Sequence, residues 1–505
     1  MRRSAKYCNG GTIRPEREGR YYDVRRLVLL SILGQLLSGC ASRAPKQQPF
    51  AHRYSPEELS ADVATLRRAL EEGHAGLYRW RDKPMVDSIF AALADSARVP
   101  MAALEFWRVV ARALTGLRDG HIAVFPGSAV TTEVYRTRVL PMMVYVDGER
   151  LFVRRNLTGD DAVAEGGEIV RINGMPGPEF LTECLRYIPA DADIRIRGLR
   201  RLAREFELTC APAFGLPTQY ALVVRSATGN VDSAVVAAVS WVERRRRLRA
   251  RAPADTLALA SGELRFFHGD SVAVLAVRSF SKREKYDPAK FIKASFNQLR
   301  ARNICRLVID LRGNTGGSDA PAGLLFRQIA RDTFTYYRER VLNKNRYGFL
   351  KGTGDWLLNY AIPFYSKRKL PDGRYRLSLA MDKPMAPAEG SFTGSVTLLL
   401  DGDSFSTSSE FGSVFRFYER GAIVGEESPT PAIGGSGATV GFLLPNTGLD
   451  IGMPLVSITM PLLPSTPPSR GVAPDKRVTR NVRQVITGED PALELAARCS
   501  DAARQ

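Results

Sequence analysis

Two short, nearly unbroken apolar runs, Cys305 to Leu311 and Ser395 to Leu400, are each followed by a turn of glycine or hydroxyl residues and then by an amphipathic stretch. A strand without polar alternation must be covered on both faces, which points to a sheet sandwiched by helices. The helical stretches run from about Ala320 to Ala330 and along the face formed by Phe411, Val414, Phe415 and Tyr418. Further strands are expected at Val272 to Val277 and Ala422 to Gly425, with a helix over Lys290 to Arg300. Strands alternating with helices define an α/β core, assigned to residues 257–490, with 491–505 as a C-terminal tail.

What precedes this core has a different rhythm. Ser55-Pro56-Glu57-Glu58 is a capping-box sequence with proline at the first helical position. Leu59, Val63, Leu66 and Leu70 follow at helical spacing, and Gly73 can end the helix. Similar patterns run from Val86 to Leu93 and through Leu104, Trp107, Val110 and Leu114, stopping at Arg118-Asp119-Gly120. Residues 54–130 therefore read as a helical domain, with His121 just beyond its last helix. Residues 131–241 change to strands, and Asn173-Gly174 is a hairpin-turn signal. The arginine run that follows, Arg244 to Arg249, reads as a solvated linker over 242–256.

The chain carries 72 Lys+Arg against 53 Asp+Glu, a formal net charge of +19. The arginines are scattered, with no aromatic-interleaved basic stripe, so nucleic acid is not the expected partner. Arg25 and Arg26 precede an apolar run from Leu27 to Leu37 and then Ser38-Gly39-Cys40. A basic start, a short apolar core and small residues make a secretory signal. Leu37-Ser38-Gly39-Cys40 also resembles the bacterial lipobox, which implies cleavage after residue 39, lipidation of Cys40 and a tether over 40–53. Ala41 is not the aspartate of an inner-membrane retention signal. The expected location is thus the cell envelope, lipid-anchored at the outer membrane and facing the periplasm. Cys184, Cys210, Cys305 and Cys499 lack CxxC spacing, which signals no metal or redox motif and leaves any disulfide pairing open.

Chemistry-bearing residues concentrate at the two turns. In the first, Asp310-Leu311-Arg312-Gly313-Asn314-Thr315-Gly316-Gly317-Ser318, adjacent glycines let backbone N–H groups converge, as an oxyanion site requires. In the second, Asp401-Gly402-Asp403-Ser404-Phe405-Ser406-Thr407-Ser408-Ser409-Glu410, hydroxyls open a helix. A serine there can be an ordinary N-cap, but the free N–H groups of a helix start also favour a nucleophile.

Together the two turns resemble those of the C-terminal-processing (tail-specific) peptidases and their tricorn-core relatives. Ile309 to Gly317 is similar to the family's Asp-Leu-Arg-x-Asn-x-Gly-Gly turn. Phe405-Ser406 with Glu410 and Val424-Gly425-Glu426 resembles its serine segment, and Arg470 to Asp475 its Gly-Val-x-Pro-Asp segment. The resemblance implies a ClpP/crotonase-like α/β core, a PDZ-like middle domain, a peptide or protein substrate, and no metal or cofactor. It also implies Ser406 as nucleophile, with Gly316 and Thr407 supplying oxyanion N–H groups. The family's spacing from serine to glutamate is three, whereas Ser406 to Glu410 is four. The register therefore also admits Thr407, and Ser408 is the next candidate.

One branch of the family uses a lysine about two dozen residues after the serine, but no lysine lies between Ser406 and Lys476. The other branch uses an earlier histidine. Of His52, His74, His121 and His268, His121 after Arg118-Asp119-Gly120 matches that position, and imidazole has the pKa of a base near neutrality. No glutamate occurs in 464–475, so the residue that would orient the histidine is open among Glu410, Glu426 and Asp475. The expected activity is that of a serine-type endopeptidase. The competing expectations are a catalytically silent scaffold on the same fold and an esterase.

Overall fold

The structure is a computed structural model, and it describes residues 50–251, 261–267 and 271–499. Cys40, the leader segment and His268 lie outside the described residues. No described helix is long and apolar enough to cross a membrane.

The N-terminal helices form where their caps dictate. Helix α1 (Pro56–Gly73) starts at a reciprocal capping box, with Ser55 N–H donating to Glu58 Oε2 at 2.8 Å and Glu58 N–H to Ser55 Oγ at 3.3 Å. Helices α2 (Lys83–Ser96) and α3 (Ala103–Gly116) follow. Expected as a domain of their own over 54–130, they pack into the C-terminal half. Leu59, Leu66 and Val110 share one continuous core with Leu307, Phe411, Ile451 and Met453 of the C-terminal half. Buried Asp62 ties the two parts further by accepting the N–H groups of Asn446 and Thr447, both at 2.9 Å. After α3, strand β1 (Ala123–Phe125) crosses into the C-terminal half altogether.

The middle domain is an antiparallel sheet whose strands lie side by side in chain order: β2 (Met142–Asp147), β3 (Arg150–Asn156), β4 (Glu168–Ile172), β5 (Gln219–Arg225) and β6 (Val231–Ala237). The Asn173-Gly174 turn closes as expected, with both residues at positive φ, 49° and 80°. Between β4 and β5 three helices pack over the sheet: α4 (Gly177–Leu185), α5 (Ile196–Arg204) and α6 (Phe206–Phe214). The arginine run expected to be a solvated linker is instead helix α7 (Trp241–Arg251). Its Arg244 is buried in an ion pair with Glu207, while Arg247 and Arg251 donate to the carbonyls of Leu157 and Asn156. Those internal acceptors make helix favourable in a sequence that reads as solvated.

The C-terminal half holds the α/β core. An edge strand β7 (Gly262–Phe267) runs antiparallel to β8 (Val272–Val277). Strands β9 (Arg306–Asp310), β11 (Ser395–Leu400), β12 (Ala422–Gly425) and β15 (Lys476–Arg477) continue the sheet in parallel from β8. Helices α8 (Pro288–Ala301), α9 (Asp319–Arg327) and α10 (Thr407–Phe417) lie between them in sequence. The other face is covered by α11 (Pro491–Cys499), whose Ala492 and Ala496 pack on Val274, Val308 and Val424. Residues 491–499 are thus part of the core rather than a tail, because the sheet's second apolar face needs a cover.

A second sheet contains β10 (Glu339–Leu342), β13 (Ser436–Leu443) and β14 (Asp450–Thr459). Strand β1 joins it, pairing antiparallel with β14 through Ala123–Gly452, Val124–Ile451 and Phe125–Asp450. This pairing carries His121 from the N-terminal helices to the C-terminal half.

Candidate active site

Strands β9 and β11 are neighbours, so the turns that leave their carboxyl ends lie side by side. Ions and caps fix the first turn. Asp310 is fully buried between Arg278 and Arg312, with oxygens 2.8 and 2.9 Å from the guanidinium nitrogens. Burial alone would push its carboxyl up, but the two arginines outweigh burial and hold it well below the usual carboxylate range. Asn314, also fully buried, donates from Nδ2 to Val277 O and accepts the Gly316 N–H at Oδ1, both at 2.9 Å. Its own carbonyl accepts the Phe405 N–H at 3.1 Å. One residue, through its side chain and its carbonyl, thereby ties the glycine turn to the serine turn.

Gly316 sits at φ 98°, and a Cβ there would lie 2.9 Å from Phe405 O and 3.0 Å from Ser406 Cβ. Only glycine lets the two turns approach this closely. The Gly316 N–H, expected to serve the oxyanion, donates to Asn314 Oδ1 in this structure. The neighbouring backbone of Gly317 accepts from Thr407 Oγ1 at 3.0 Å. Thr407 N–H, as the first of α10, has no helical carbonyl to donate to.

Ser406 is where the strain is. Its backbone adopts φ 54° and ψ −123°, a region that non-glycine residues avoid at a cost of about 1–3 kcal/mol. Its side chain makes no capping hydrogen bond. Its N–H donates to Thr430 Oγ1 at 3.1 Å, and its carbonyl accepts Glu410 N–H at 2.9 Å. Ser406 is partly exposed, whereas Ser404, Ser408 and Ser409 are buried. Ser404 Oγ donates to Leu311 O and Ser409 Oγ to Ser404 O, while Ser408 Oγ is buried without a partner among the described residues. Of the hydroxyls in the turn, Ser406 combines exposure, strain and an uncommitted side chain.

His121 arrives from the other direction. Its ring lies against Phe405, the residue before Ser406, with centroids 4.4 Å apart. A Cβ on Gly435 would stand 3.0 Å from Thr430 Cγ2 and 3.8 Å from His121 Cε1, so Gly435 lies between His121 and the Thr430 that binds Ser406 N–H. Neither ring nitrogen of His121 has a hydrogen-bond partner among the described residues. Serine and histidine are brought to one site but not joined. Apo geometries of this kind often tighten only when substrate binds.

The carboxylates beside His121 are not those suggested by sequence. Nδ1 stands 3.8 Å from both Asp119 Oδ1 and Asp191 Oδ2. Asp119 also accepts the His121 N–H at 2.8 Å and the Ser436 hydroxyl at 2.5 Å, and lies 3.1 Å from His74 Nε2. Asp191 Oδ1 accepts Gly120 N–H at 2.6 Å, and its Oδ2 has no partner among the described residues. The two loops meet under strain. Arg118 and Ala192 both have positive φ, and Ala192 N–H donates to Arg118 O at 3.0 Å. Glu410 instead accepts from Tyr337 OH, Glu426 from Arg200 and Gly402 N–H, and Asp475 from Arg416 and Ile423 N–H. All three earlier candidates for the third residue are committed elsewhere.

Burial, opposed by Asp119 and reinforced by Arg197, lowers His121 to about 4, so its imidazole is neutral at pH 7. Burial, with the Asp119 charge beside it, raises Asp191 to about 7. The opposite holds for Asp119, where burial is outweighed by His74 and His121 and the carboxyl stays below its usual range. Arg197 lies over the far side of the turn, its guanidinium carbon 3.1 Å from the Phe405 ring centroid. Asp119, His121 and Asp191 are also the side chains among the described residues that could converge on a cation, one ligand atom each lying within 4.8 Å of the others.

Asn314 is the asparagine of the turn motif that the sequence resembles, whereas Thr430 and Asp191 carry no periodic or spacing signal. His74 is one of four histidines in the sequence, with no motif to mark it. Their roles exist through contacts between distant segments.

Residues 271–475 match the family model described as peptidase family S41. Mature CPAF superposes with a TM-score of 0.62, covering 89% of this chain and 97% of its own at 14% identity. Mature CPAF complexed with lactacystin gives 0.61, 89% and 98% at 15% identity. At such identities the likeness shows the fold. No curated protein sequence matches the chain.

Proposed function

We propose that this chain, whose residues 271–475 match the model of peptidase family S41, is a serine peptidase of that family that cleaves peptide bonds through an acyl-enzyme on Ser406. The family supplies the substrate class. The observation that carries the nucleophile is the strained Ser406 backbone at a strand–turn–helix junction, which lifts its Oγ out of the capping position.

In this reading Ser406 Oγ attacks the peptide carbonyl while His121 Nε2 takes its proton. Nδ1 faces Asp119 and Asp191, which orient the ring and stabilise the imidazolium as it forms. The tetrahedral oxyanion is held by Thr407 N–H. Collapse expels the amine, protonated by His121, and water then releases the acid by the same route. Labelling with a fluorophosphonate tests this: the adduct is expected on Ser406 and absent from Ser406→Ala and His121→Ala. An adduct elsewhere, or none on the intact protein, overturns it.

The absence of a Ser406–His121 hydrogen bond favours one other reading, a silent peptide-binding scaffold. It predicts peptide binding without hydrolysis and a phenotype indifferent to Ser406→Ala. Hydrolysis of a small ester but not of a peptide panel would instead favour an esterase.

The reading places the protein in the bacterial cell envelope, held by a lipid on Cys40. Its support is the run of basic, apolar and small residues that ends at Cys40. Metabolic labelling with a palmitate analogue is expected to mark the wild type but not Cys40→Ala. Equal labelling of both would remove the anchor.

A further inference from the structure

The arm that brings Asp191 to His121 begins and ends at a pair of thiols. Cys184, in the last turn of α4, and Cys210, within α6, are both buried and unbonded, with their Sγ atoms 3.1 Å apart across a separation of 26 residues. Phe180 stacks on Phe206 and Phe214 in the same core, at centroid distances of 5.8 and 4.5 Å. The chain between the two cysteines reaches the site described above at several points. Asp191 binds Gly120 and faces His121, and Arg197 covers Phe405. Arg200 pairs with Glu426, and Arg204 with Asp403 in the serine turn.

We propose that Cys184 and Cys210 form a disulfide, and that this bond holds the Asp191 arm against the serine turn. A disulfide donor of the thiol-exchange class, protein or glutathione, is the oxidant. One thiolate attacks the donor's S–S bond, giving a mixed disulfide and releasing one donor thiol. The second thiolate then displaces the other donor thiol. One S–S bond forms here, one is broken in the donor, and two electrons pass to the donor. Burial pushes the Cys210 thiol up, so exchange belongs to folding, before the aromatic core closes over the pair. Closing a loop of this length restricts the unfolded chain and so favours the folded arm. The effect on hydrolysis rests on the peptidase reading, whereas the bond itself does not.

The test equilibrates the purified full chain in glutathione buffers of graded redox ratio. The protein is quenched, alkylated under denaturing conditions and mapped by mass spectrometry. A Cys184–Cys210 linked peptide is expected, with Cys305, which is exposed, alkylated throughout. In the oxidised form, Tm is expected to be higher by roughly 3–5 °C. Hydrogen exchange over residues 186–204 should be slower than in the reduced form, and neither difference should appear in a C184A/C210A variant. Alkylation of both cysteines at the most oxidising ratio, pairing of either with Cys305, or equal exchange in the two forms overturns the proposal. Loss of fluorophosphonate labelling in both redox forms would count against the peptidase reading alone, since the thiol map and exchange rates are read without activity.

Discussion

His121 Nδ1 stands 3.8 Å from Asp191 Oδ2, an imidazole that follows the N-terminal helices facing a carboxylate from the middle domain. The nucleophile turn belongs to the third part of the chain. Each contributes one element, and none of the three parts holds the site alone.

If Asp191 orients His121, Asp191→Asn lowers kcat by ~10²–10⁴-fold with KM little changed. Asp475→Asn, which weakens bonds to Arg416 and Ile423 and none to the ring, should leave kcat within about threefold. Steady-state kinetics on a peptide substrate decide between them. Equal losses would show that Asp191 matters only for folding.

The pH profile of kcat/KM should show two steps. His121 protonates only near pH 4, well below an ordinary imidazole, so the base survives mild acid. Asp191 ionises near pH 7, so its negative charge beside His121 appears as pH rises through that value and the rate climbs. Asp191→Asn is expected to erase the upper step and keep the lower one. A single limb at the ordinary histidine value would contradict the buried, neutral His121.

Ser406→Ala should abolish covalent labelling while leaving Tm unchanged, because the Ser406 side chain makes no capping bond and alanine carries the same backbone strain. Ser408 Oγ is buried without a partner among the described residues. Ser408→Ala should therefore stabilise by up to about 1 kcal/mol and retain labelling. Loss of labelling in Ser408→Ala with an unchanged Tm would reassign the nucleophile.

Gly316→Ala places a methyl group 2.9 Å from Phe405 O at a backbone φ of 98°. The turn must shift away from Ser406, and a fall of roughly 10²–10³-fold in kcat is expected, comparable to losing one oxyanion donor. Asn314→Ala removes the anchors to Val277 and Gly316 and should act in the same direction while also lowering Tm. Wild-type kinetics in Gly316→Ala would show that the close approach has no catalytic role.

Sequence alone determined the local elements and the two turns. The capping box at Ser55, the buried strands at Cys305 to Leu311 and Ser395 to Leu400, and the Asn173-Gly174 turn are short-range features, set by periodicity, turn chemistry and caps that neighbouring residues satisfy. The same locality made Ser406 and the Gly316-Gly317 turn legible. Tertiary structure decided what depends on distant segments. It turned the basic run at Arg244 into helix by offering Glu207 and two carbonyls. It merged the N-terminal helices with the C-terminal core, and it placed β1 in the second sheet so that His121 reaches Phe405. It also chose Asp119 and Asp191 over Glu410, Glu426 and Asp475, because which carboxylate meets an imidazole is settled by packing between segments that no spacing rule connects.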